Sequence, residues 1–194
     1  FPQIMSHPNN KVSSSSVDNQ EIELIVGNSS SNFSCVTSTM LQVTSLQKHM
    51  INLRIMGKHF VPDPSMTITF WEFAKMCRRP LSNGKWRIFH ARRVDEMIQG
   101  VILKYVFRAK IKLVFSSAAQ RKRSASTVWL SNKMDAVIAM SNRSAKYLNK
   151  PPAKINLHGV QIDNYTPAEN KQEAWQALGY GGKYGIGILG RVRE

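Results

Sequence analysis

Short apolar runs alternate with segments of helical periodicity along the chain from residue 22 onward. The apolar runs predict strands at 22–26, 52–56, 86–90, 112–115, 135–139, 155–158 and 184–189. The segments between them repeat apolar residues every three or four positions and predict helices at 36–50, 68–77, 95–107, 126–132, 141–148 and 169–178. This alternation predicts an α/β fold, with a Rossmann-like parallel sheet flanked by helices.

The ends of the predicted strands are the first places to look for a functional site, because ligands of such sheets bind beyond the carboxyl ends of the strands. The residues that follow the predicted strands are 28–35, 90–93, 116–121, 141 and 158–159. Several of them are arginines, whose planar guanidinium groups suit phosphate and carboxylate. The large aromatic residues Trp71, Phe73 and Trp86 fall within predicted elements, and we expect them in the core.

The charge balance is the unusual feature of the composition. The chain has a formal net charge of +15, which implies an anionic partner without choosing among nucleic acid, phospholipid and a phosphorylated substrate. Cys35 and Cys77 are too few for a disulfide framework or a zinc site and fit a reducing compartment. No apolar run reaches the roughly 20 residues of a membrane span. Residues 1–20 are polar and serine-rich, and we expect a disordered lead-in there.

Three segments at predicted strand ends carry the most specific pattern in the sequence. They read FHARRVDEM at 89–97, VFSSAAQR at 114–121 and MDAVI at 134–138, with HGV at 158–160 and YGIGILGRVR at 184–193 further on. In this order the segments resemble the family 4 glycosyltransferases, and in particular the lipopolysaccharide-core mannosyltransferases of rhizobia. The resemblance extends from Val36 to Glu194.

The resemblance implies the GT-B architecture, in which an acceptor-binding and a donor-binding Rossmann-like domain face a cleft. Residues 21–165 would form the N-terminal, acceptor-side domain, and 166–194 a linker helix with the first strand of a truncated donor-binding domain. No metal or cofactor is implied, because basic groups and helix dipoles offset the diphosphate charge. We expect the truncated chain to be inactive alone.

The function that the resemblance implies is hexosyl transfer, of mannose in the first instance. The expected partners are a nucleotide sugar such as GDP-mannose and a lipopolysaccharide-core acceptor, and not nucleic acid. We expect a cytoplasmic protein on the inner face of the bacterial inner membrane, where basic segments such as 121–123 contact anionic lipid.

The resemblance implies that His90 would act in catalysis by contacting the donor sugar and that Arg191, with Gly190, would bind the donor. The positions at the strand ends predict that Arg92, Arg93, Ser117, Gln120 and Arg121 bind the acceptor, although a solvated basic rim explains the arginines equally well. Glu96, one turn into a helix, would act in catalysis by orienting an acceptor hydroxyl, although a Glu there also stabilises a helix N-terminus.

Two other interpretations remain open from the sequence. The family has glycine where Cys35 stands and asparagine where Val94 stands, which favours an inactive, truncated remnant. The positive charge alone also fits a basic nucleic-acid-binding domain, although no recognised motif accompanies it. The match to G-x-G-x-x-G at 185–190 lies inside a predicted strand, where we expect close packing and not a dinucleotide site.

Overall fold

A computed structural model describes residues 21–157, 159, 166–179, 181–182, 184–185 and 187. Seven parallel strands form one sheet in the order β3-β2-β1-β4-β5-β6-β7. Their bounds are β1 Leu24–Gly27, β2 Leu53–Met56, β3 Thr67–Ile68, β4 Arg87–Ala91, β5 Ile111–Ser117, β6 Ala136–Ala139 and β7 Lys154–Ile155. The predicted Rossmann-like sheet is therefore confirmed, and its first six strands follow the order of doubly wound sheets.

Helices connect the strands in sequence. Their bounds are α1 Cys35–Gln47, α2 Phe70–Met76, α3 Val94–Val101, α4 Ala125–Asn132, α5 Asn142–Ala145 and α6 Lys171–Ala177, with a 3-10 turn at Pro64–Met66. A π-helix, Ile102–Val106, continues α3. The N-caps are the polar residues that the sequence offers at these positions: Ser141 caps α5 as predicted, and Thr69 and Glu72 form a capping box on α2.

The helices divide between the two faces of the sheet. One apolar core joins α2, α3, the π-helix and α4 to one face, around residues such as Phe73, Phe89 and Leu113. A smaller core joins α1 to the other face through Met40, over β1 and β2. The connection from β1 to β2 thus runs over one face of the sheet and the connection from β4 to β5 over the other. Right-handed crossovers require this, because the chain moves towards one edge of the sheet after β1 and towards the other edge after β4.

Some predicted elements differ in detail from the observed ones. The predicted helix 68–77 begins at Phe70, because Ile68 pairs with Met56 in the short edge strand β3. The predicted helix 95–107 changes from α to π geometry at Ile102. The predicted helix 141–148 ends early, at Ala145. The predicted strand 184–189 lies largely outside the described residues, as does the predicted lead-in 1–20.

Two of the three aromatic residues expected in the core lie at the surface. Phe73 is fully buried, but Trp71 and Trp86 are exposed. Trp71 follows the first residue of α2, and the buried side of this short helix is provided by Phe73, Ala74 and the adjoining Cys77. The aromatic character of Trp71 therefore gave the wrong prediction, since a helix of two turns has only one side against the sheet.

Residues 158–194 form a second compact unit, separate from residues up to 157. Its described part contains α6, which begins at the N-cap Asn170. Trp175 Nε1 donates a hydrogen bond to the Gly182 carbonyl over 3.0 Å. The assignment of 21–165 and 166–194 to two domains stays a prediction. None of the helices in the described part of the chain is long and apolar enough to span a bilayer.

Candidate functional site

The carboxyl edge of the sheet has a crevice where β1 and β4 lie side by side. The chain leaves β1 towards α1 on one face and leaves β4 towards α3 on the other, which makes this pair the topological switch point of the sheet. Open α/β sheets bind ligands in the crevice at that point. The residues after these two strands therefore define the candidate site.

The carboxylate of Glu96 fills the bottom of this crevice. The side chain is 0% exposed and accepts hydrogen bonds from the backbone N–H groups of Arg92 at 2.7 Å and Arg93 at 3.2 Å. Its other oxygen lies 3.4 Å from the Ser29 hydroxyl, in the loop after β1. A β-carbon at Gly27 would lie 2.9 Å from the carboxylate, so the absence of a side chain there lets Glu96 fit. Glu96 thus joins the β1 and β4 loops.

The guanidinium groups of Arg92 and Arg93 extend from β4 towards the start of α1. Arg92 donates to the Gly27 carbonyl over 2.7 Å and to the Val36 carbonyl over 3.3 Å, while its buried Nε has no partner. Burial lowers the pKa of Arg92 to about 10, so it remains charged at neutral pH. The Arg93 guanidinium donates to the Ser34 hydroxyl over 2.8 Å. Both arginines therefore hold the loop that precedes α1.

His90 lies on the α1 side of the sheet, next to Val26 in the strand register. Its Nε2 is 2.8 Å from the Ser116 hydroxyl at the end of β5. Burial lowers the pKa of His90 to about 4, with a smaller contribution from the positive charge of Arg92. The imidazole is therefore neutral at physiological pH, a state that exchanges hydrogen bonds with uncharged hydroxyls.

Ser117 faces the opposite side of the sheet from His90, because side chains alternate along β5 and Ser116 takes the His90 side. Its hydroxyl accepts a hydrogen bond from Arg123, whose guanidinium carbon lies 5.2 Å from the centre of the Phe115 ring. Sequence reasoning gave an acceptor-binding role to Ser117 and none to Ser116 or Arg123, although Ser116 lies in the same strand-end segment and Arg123 in the basic segment 121–123. The signal that distinguishes the two serines is the alternation of side chains between the two faces of the sheet along β5. Knowing which face each serine takes required the register between β5 and β4.

Gln120 and Arg121 are exposed in the loop between β5 and α4. Like His90 and Ser117, they lie beyond or at the carboxyl ends of the strands, and so at the same edge of the sheet. Gly190 and Arg191, the expected donor-binding residues, lie outside the described residues. In the described part of the chain, no group of three or more His, Cys, Asp or Glu side chains could hold a metal ion.

A second pair of loops flanks the crevice on the β2 side. Asn28 Nδ2 donates to the His59 carbonyl over 2.7 Å, which connects the loops after β1 and β2. Beside it, Phe33 and Phe60 form an edge-to-face pair with ring centres 5.3 Å apart, and both rings are exposed. Phe60 has φ of 62°, the left-handed region that non-glycine residues rarely adopt. This arrangement gives the edge an apolar border beside its polar centre.

Two other concavities lie away from the carboxyl edge. A cavity of about 860 Å³ lies at the amino ends of β1 and β2, between Glu23, Asn52 and the end of α1 at Lys48. Another, of about 190 Å³, lies near the amino end of β6. Neither has the neutral histidine or the buried arginine of the opposite edge. The neutral His90 and the buried Arg92 thus make the carboxyl edge, and not the larger cavity, the candidate site.

Comparisons with known proteins agree with this fold. The chain is 36% identical over 179 residues to the lipopolysaccharide core biosynthesis mannosyltransferase LpcC of Rhizobium leguminosarum biovar viciae, a match covering 91% of this chain and 50% of the relative. It is 35% identical over 180 residues to the corresponding LpsB of Rhizobium meliloti, covering 92% and 50%. The chain therefore spans about half the length of the curated relatives it matches. No protein-family profile matches it.

Among solved structures, the HepE protein of Anabaena in complex with UDP-glucose has a TM-score of 0.52 at 14% identity, over 82% of this chain and 50% of that one. The same protein with UDP and glucose gives a TM-score of 0.51. The structural matches concern the fold alone, which they share with this chain. In sequence, the chain is similar to the lipopolysaccharide-core mannosyltransferases of rhizobia, as its motifs predict.

Proposed function

We propose that this chain is the acceptor-side half of a glycosyltransferase that moves mannose from a nucleotide sugar, GDP-mannose, to a lipopolysaccharide-core acceptor. The observation that carries the proposal is the similarity to two such mannosyltransferases over nine tenths of the chain. The polar carboxyl edge at the β1–β4 crevice supports it, because this is where such sheets bind ligands. The protein acts on the cytoplasmic side of the inner membrane, without a metal ion or cofactor.

The chemistry needs little from this half beyond placing the acceptor. The anomeric carbon–oxygen bond to the diphosphate breaks, a bond to the acceptor oxygen forms, and the proton of the acceptor hydroxyl passes to the departing nucleoside diphosphate. Positioning the two sugars and stabilising the leaving diphosphate supply most of the catalysis. A neutral His90 suits contact with an uncharged sugar, since Ser116 holds one of its ring nitrogens and leaves the other to meet a sugar hydroxyl.

The other residues divide by their accessibility. Gln120 and Arg121, exposed beside Ser117, are suited to bind the acceptor directly. Arg92 and Arg93 act at the border of the acceptor site, where their guanidinium groups fix the loop before α1. Glu96 is fully buried and saturated with hydrogen bonds, so its role is that of a positioning residue that holds both arginines. Gly190 and Arg191 bind the donor phosphates.

Isothermal titration of the 194-residue chain with a core oligosaccharide, GDP and GDP-mannose tests the proposal. We expect the oligosaccharide to bind and His90→Ala to weaken it at least tenfold. His49→Ala is the matched control, because His49 is exposed near the amino ends of the strands, away from the site. Equal loss in both variants would contradict a role for His90.

The same titration separates the competing functions. A folded chain that binds neither the oligosaccharide nor a nucleotide would be the inactive remnant. Tight binding of an oligonucleotide, with an affinity that falls steeply as salt rises, would indicate the basic nucleic-acid-binding domain instead. Binding of the oligosaccharide that is insensitive to Gln120→Ala and Arg121→Ala would move the acceptor site to another part of the surface.

A further inference from the structure

Two phenylalanine rings are exposed side by side at the carboxyl edge of the sheet. Phe33, in the loop after β1, is 54% exposed, and Phe60, in the loop after β2, is 44% exposed. Their ring centres lie 5.3 Å apart, edge to face. Every other phenylalanine in the described part of the chain is buried or half-buried. We call Phe33 and Phe60 the aromatic pair, and packing within the described residues does not account for it.

The loop that carries Phe60 is fixed by contacts with the end of β1. The buried Asn28 donates its side-chain amide to the His59 carbonyl over 2.7 Å and its backbone N–H to the Met56 carbonyl over 3.0 Å. Phe60 itself has φ of 62°, a conformation that costs free energy in a residue with a side chain. Such conformations persist where the surroundings impose them, and they are frequent where proteins hold ligands.

The aromatic pair lies on the same side of the sheet as His90. Phe33 directly precedes the N-cap of α1, and His90 is on the face that α1 covers. Only β1 separates β2 from β4, so the loop of Phe60 is about two strand spacings, roughly 10 Å, across the sheet from the strand of His90. A disaccharide covers that distance. An acceptor whose reacting sugar lies at His90 therefore brings its next sugar to the aromatic pair.

The chemistry of the aromatic pair suits a pyranose ring. One face of a pyranose presents several C–H bonds whose hydrogens carry a small positive charge, and the face of a phenyl ring is negative. Polar groups for the sugar hydroxyls stand beside the rings. Asn32 precedes Phe33 and is exposed, and the exposed His59 ring lies 6.4 Å from the Phe60 ring. Apolar rings with a few polar groups around them are typical of small-molecule sites.

Other occupants fit the aromatic pair less well. Exposed polar residues such as Asn32 and Lys58 adjoin the rings, so the apolar area is far smaller than the roughly 800 Å² that each partner of a stable protein interface buries. A purine base also stacks on aromatic rings. Its diphosphate needs cations, however, and the segments 28–34 and 57–63 contain only one lysine or arginine, Lys58. An uncharged sugar needs none.

We propose that Phe33 and Phe60 form a sugar-binding subsite, which stacks against the pyranose ring next to the acceptor sugar that receives mannose. The inference rests on the proposed function for the acceptor and deepens it, because it adds a second contact point outside the residues assigned to acceptor binding above. It also implies that the acceptor has at least two sugars, held by the aromatic pair and by the region of His90.

A nuclear magnetic resonance titration tests the subsite. The probe is a core oligosaccharide of two or more sugars, added to the 194-residue chain with carbon-13 in its phenylalanine rings. We expect the ring signals of Phe33 and Phe60 to shift, whereas those of the buried Phe73 and Phe89 should stay in place. Spectra of Phe33→Leu and Phe60→Leu assign the two signals. A parallel titration with GDP shows whether a nucleotide reaches the same rings.

The leucine variants also measure what the rings contribute to affinity. Leucine keeps an apolar side chain and removes the aromatic face, so each of Phe33→Leu and Phe60→Leu should weaken oligosaccharide binding about fivefold. Phe60→Tyr keeps the face and should stay within twofold of the wild type. Trp71→Leu is the matched control, because it removes an exposed aromatic ring on α2 and should change binding less than twofold. Thermal melts check that every variant folds.

The subsite and the proposed function can fail separately in these experiments. Oligosaccharide binding that is weakened by His90→Ala but unchanged in both leucine variants, with unmoved ring signals, would overturn the subsite and leave the proposed function standing. Losses in the leucine variants without an effect of His90→Ala would support the subsite and contradict the role of His90. Ring signals that shift with GDP alone would assign the aromatic pair to a nucleotide, and a chain that binds no oligosaccharide would overturn both proposals.

Discussion

The carboxylate of Glu96 lies directly against Gly27, where a β-carbon would approach it to 2.9 Å. This contact lies at the β1–β4 crevice, and the same carboxylate accepts the backbone N–H groups of Arg92 and Arg93. The buried carboxylate of Glu96 therefore lies between the carboxyl ends of β1 and β4, and it fixes the loops that follow these two strands. The first prediction tests this coupling.

Gly27→Ala should destabilise the chain by about 2 kcal/mol, because the added methyl group meets the Glu96 side chain in a packed interior. Glu96→Ala should cost about 3 kcal/mol, since it leaves buried N–H groups without an acceptor. In the double variant the cost of Gly27→Ala should largely disappear. Urea unfolding of the four proteins measures the coupling. Additive effects would show that the two residues do not interact.

The second prediction concerns the pH dependence of stability. The folded pKa of His90, about 4, lies below the ordinary value of 6.5 because of burial. Its neutral form is therefore favoured by the fold, so this contribution is complete above pH 6.5 and is lost as the pH falls towards 4. We expect the free energy of unfolding to drop by about 2 kcal/mol more in the wild type than in His90→Asn over this range.

Urea titrations at pH 7, 5.5 and 4.5 would measure this difference. Asp135 also has a lowered pKa, through its hydrogen bond from the Leu113 N–H and its pair with Lys104 among other causes, although burial by itself acts to raise it. Its stabilisation is lost at lower pH, and it is present in both proteins, so the comparison with His90→Asn removes it. Identical pH profiles would mean that His90 titrates normally in the folded chain.

The third prediction separates the two cysteines by reactivity. Cys35 is the exposed first residue of α1, whereas Cys77 is buried and its pKa is raised to about 12 by burial. Because the thiolate is the reactive form, iodoacetamide at pH 8 should modify Cys35 alone in the folded chain. Mass spectrometry should find one adduct, none in Cys35→Ser, and two in urea. Rapid labelling of Cys77 without denaturant would contradict its burial.

The fourth prediction concerns Gly57 in the loop after β2. Its φ of 124° favours glycine, and a β-carbon there would lie 2.1 Å from the Asn28 carbonyl oxygen. Gly57→Ala should therefore cost at least about 3 kcal/mol, the sum of backbone strain and a clash with backbone that cannot move away. Gly181→Ala, with nothing near its β-carbon, should change stability by less than about 0.5 kcal/mol.

Most of the fold could be predicted from the sequence because its strands are short, apolar and separated by helices of ordinary periodicity. The exception is β3, a strand of two residues that exists only because Thr67 and Ile68 reach the edge of β2. No local pattern indicates so short a strand. The helix after β4 was predicted in place, but its apolar periodicity gave no sign of the change to π geometry at Ile102.

The candidate site was predicted less completely than the fold. The strand-end rule put His90 and the loop after β5 at the carboxyl edge, where the structure has them, but it could not tell which side chains face each other. Ser116 reaches His90 and Ser117 reaches Arg123 because of the parallel register between β4 and β5, which is a tertiary property. The burial of Glu96 likewise depends on Gly27, almost seventy residues away in sequence.

The position of β1 in the sheet has a consequence for how the chain folds during synthesis. β1 lies between β2 and β4, yet it precedes both in the chain. Its second neighbour is completed about 60 residues later, which is roughly 3–12 s at the ribosome. Until then, one backbone edge of this strand and the apolar side chains Ile25 and Val26 lack their final partners. Among the interior strands of the sheet, β1 is thus the one that a nascent chain leaves open longest to chaperones and to aggregation.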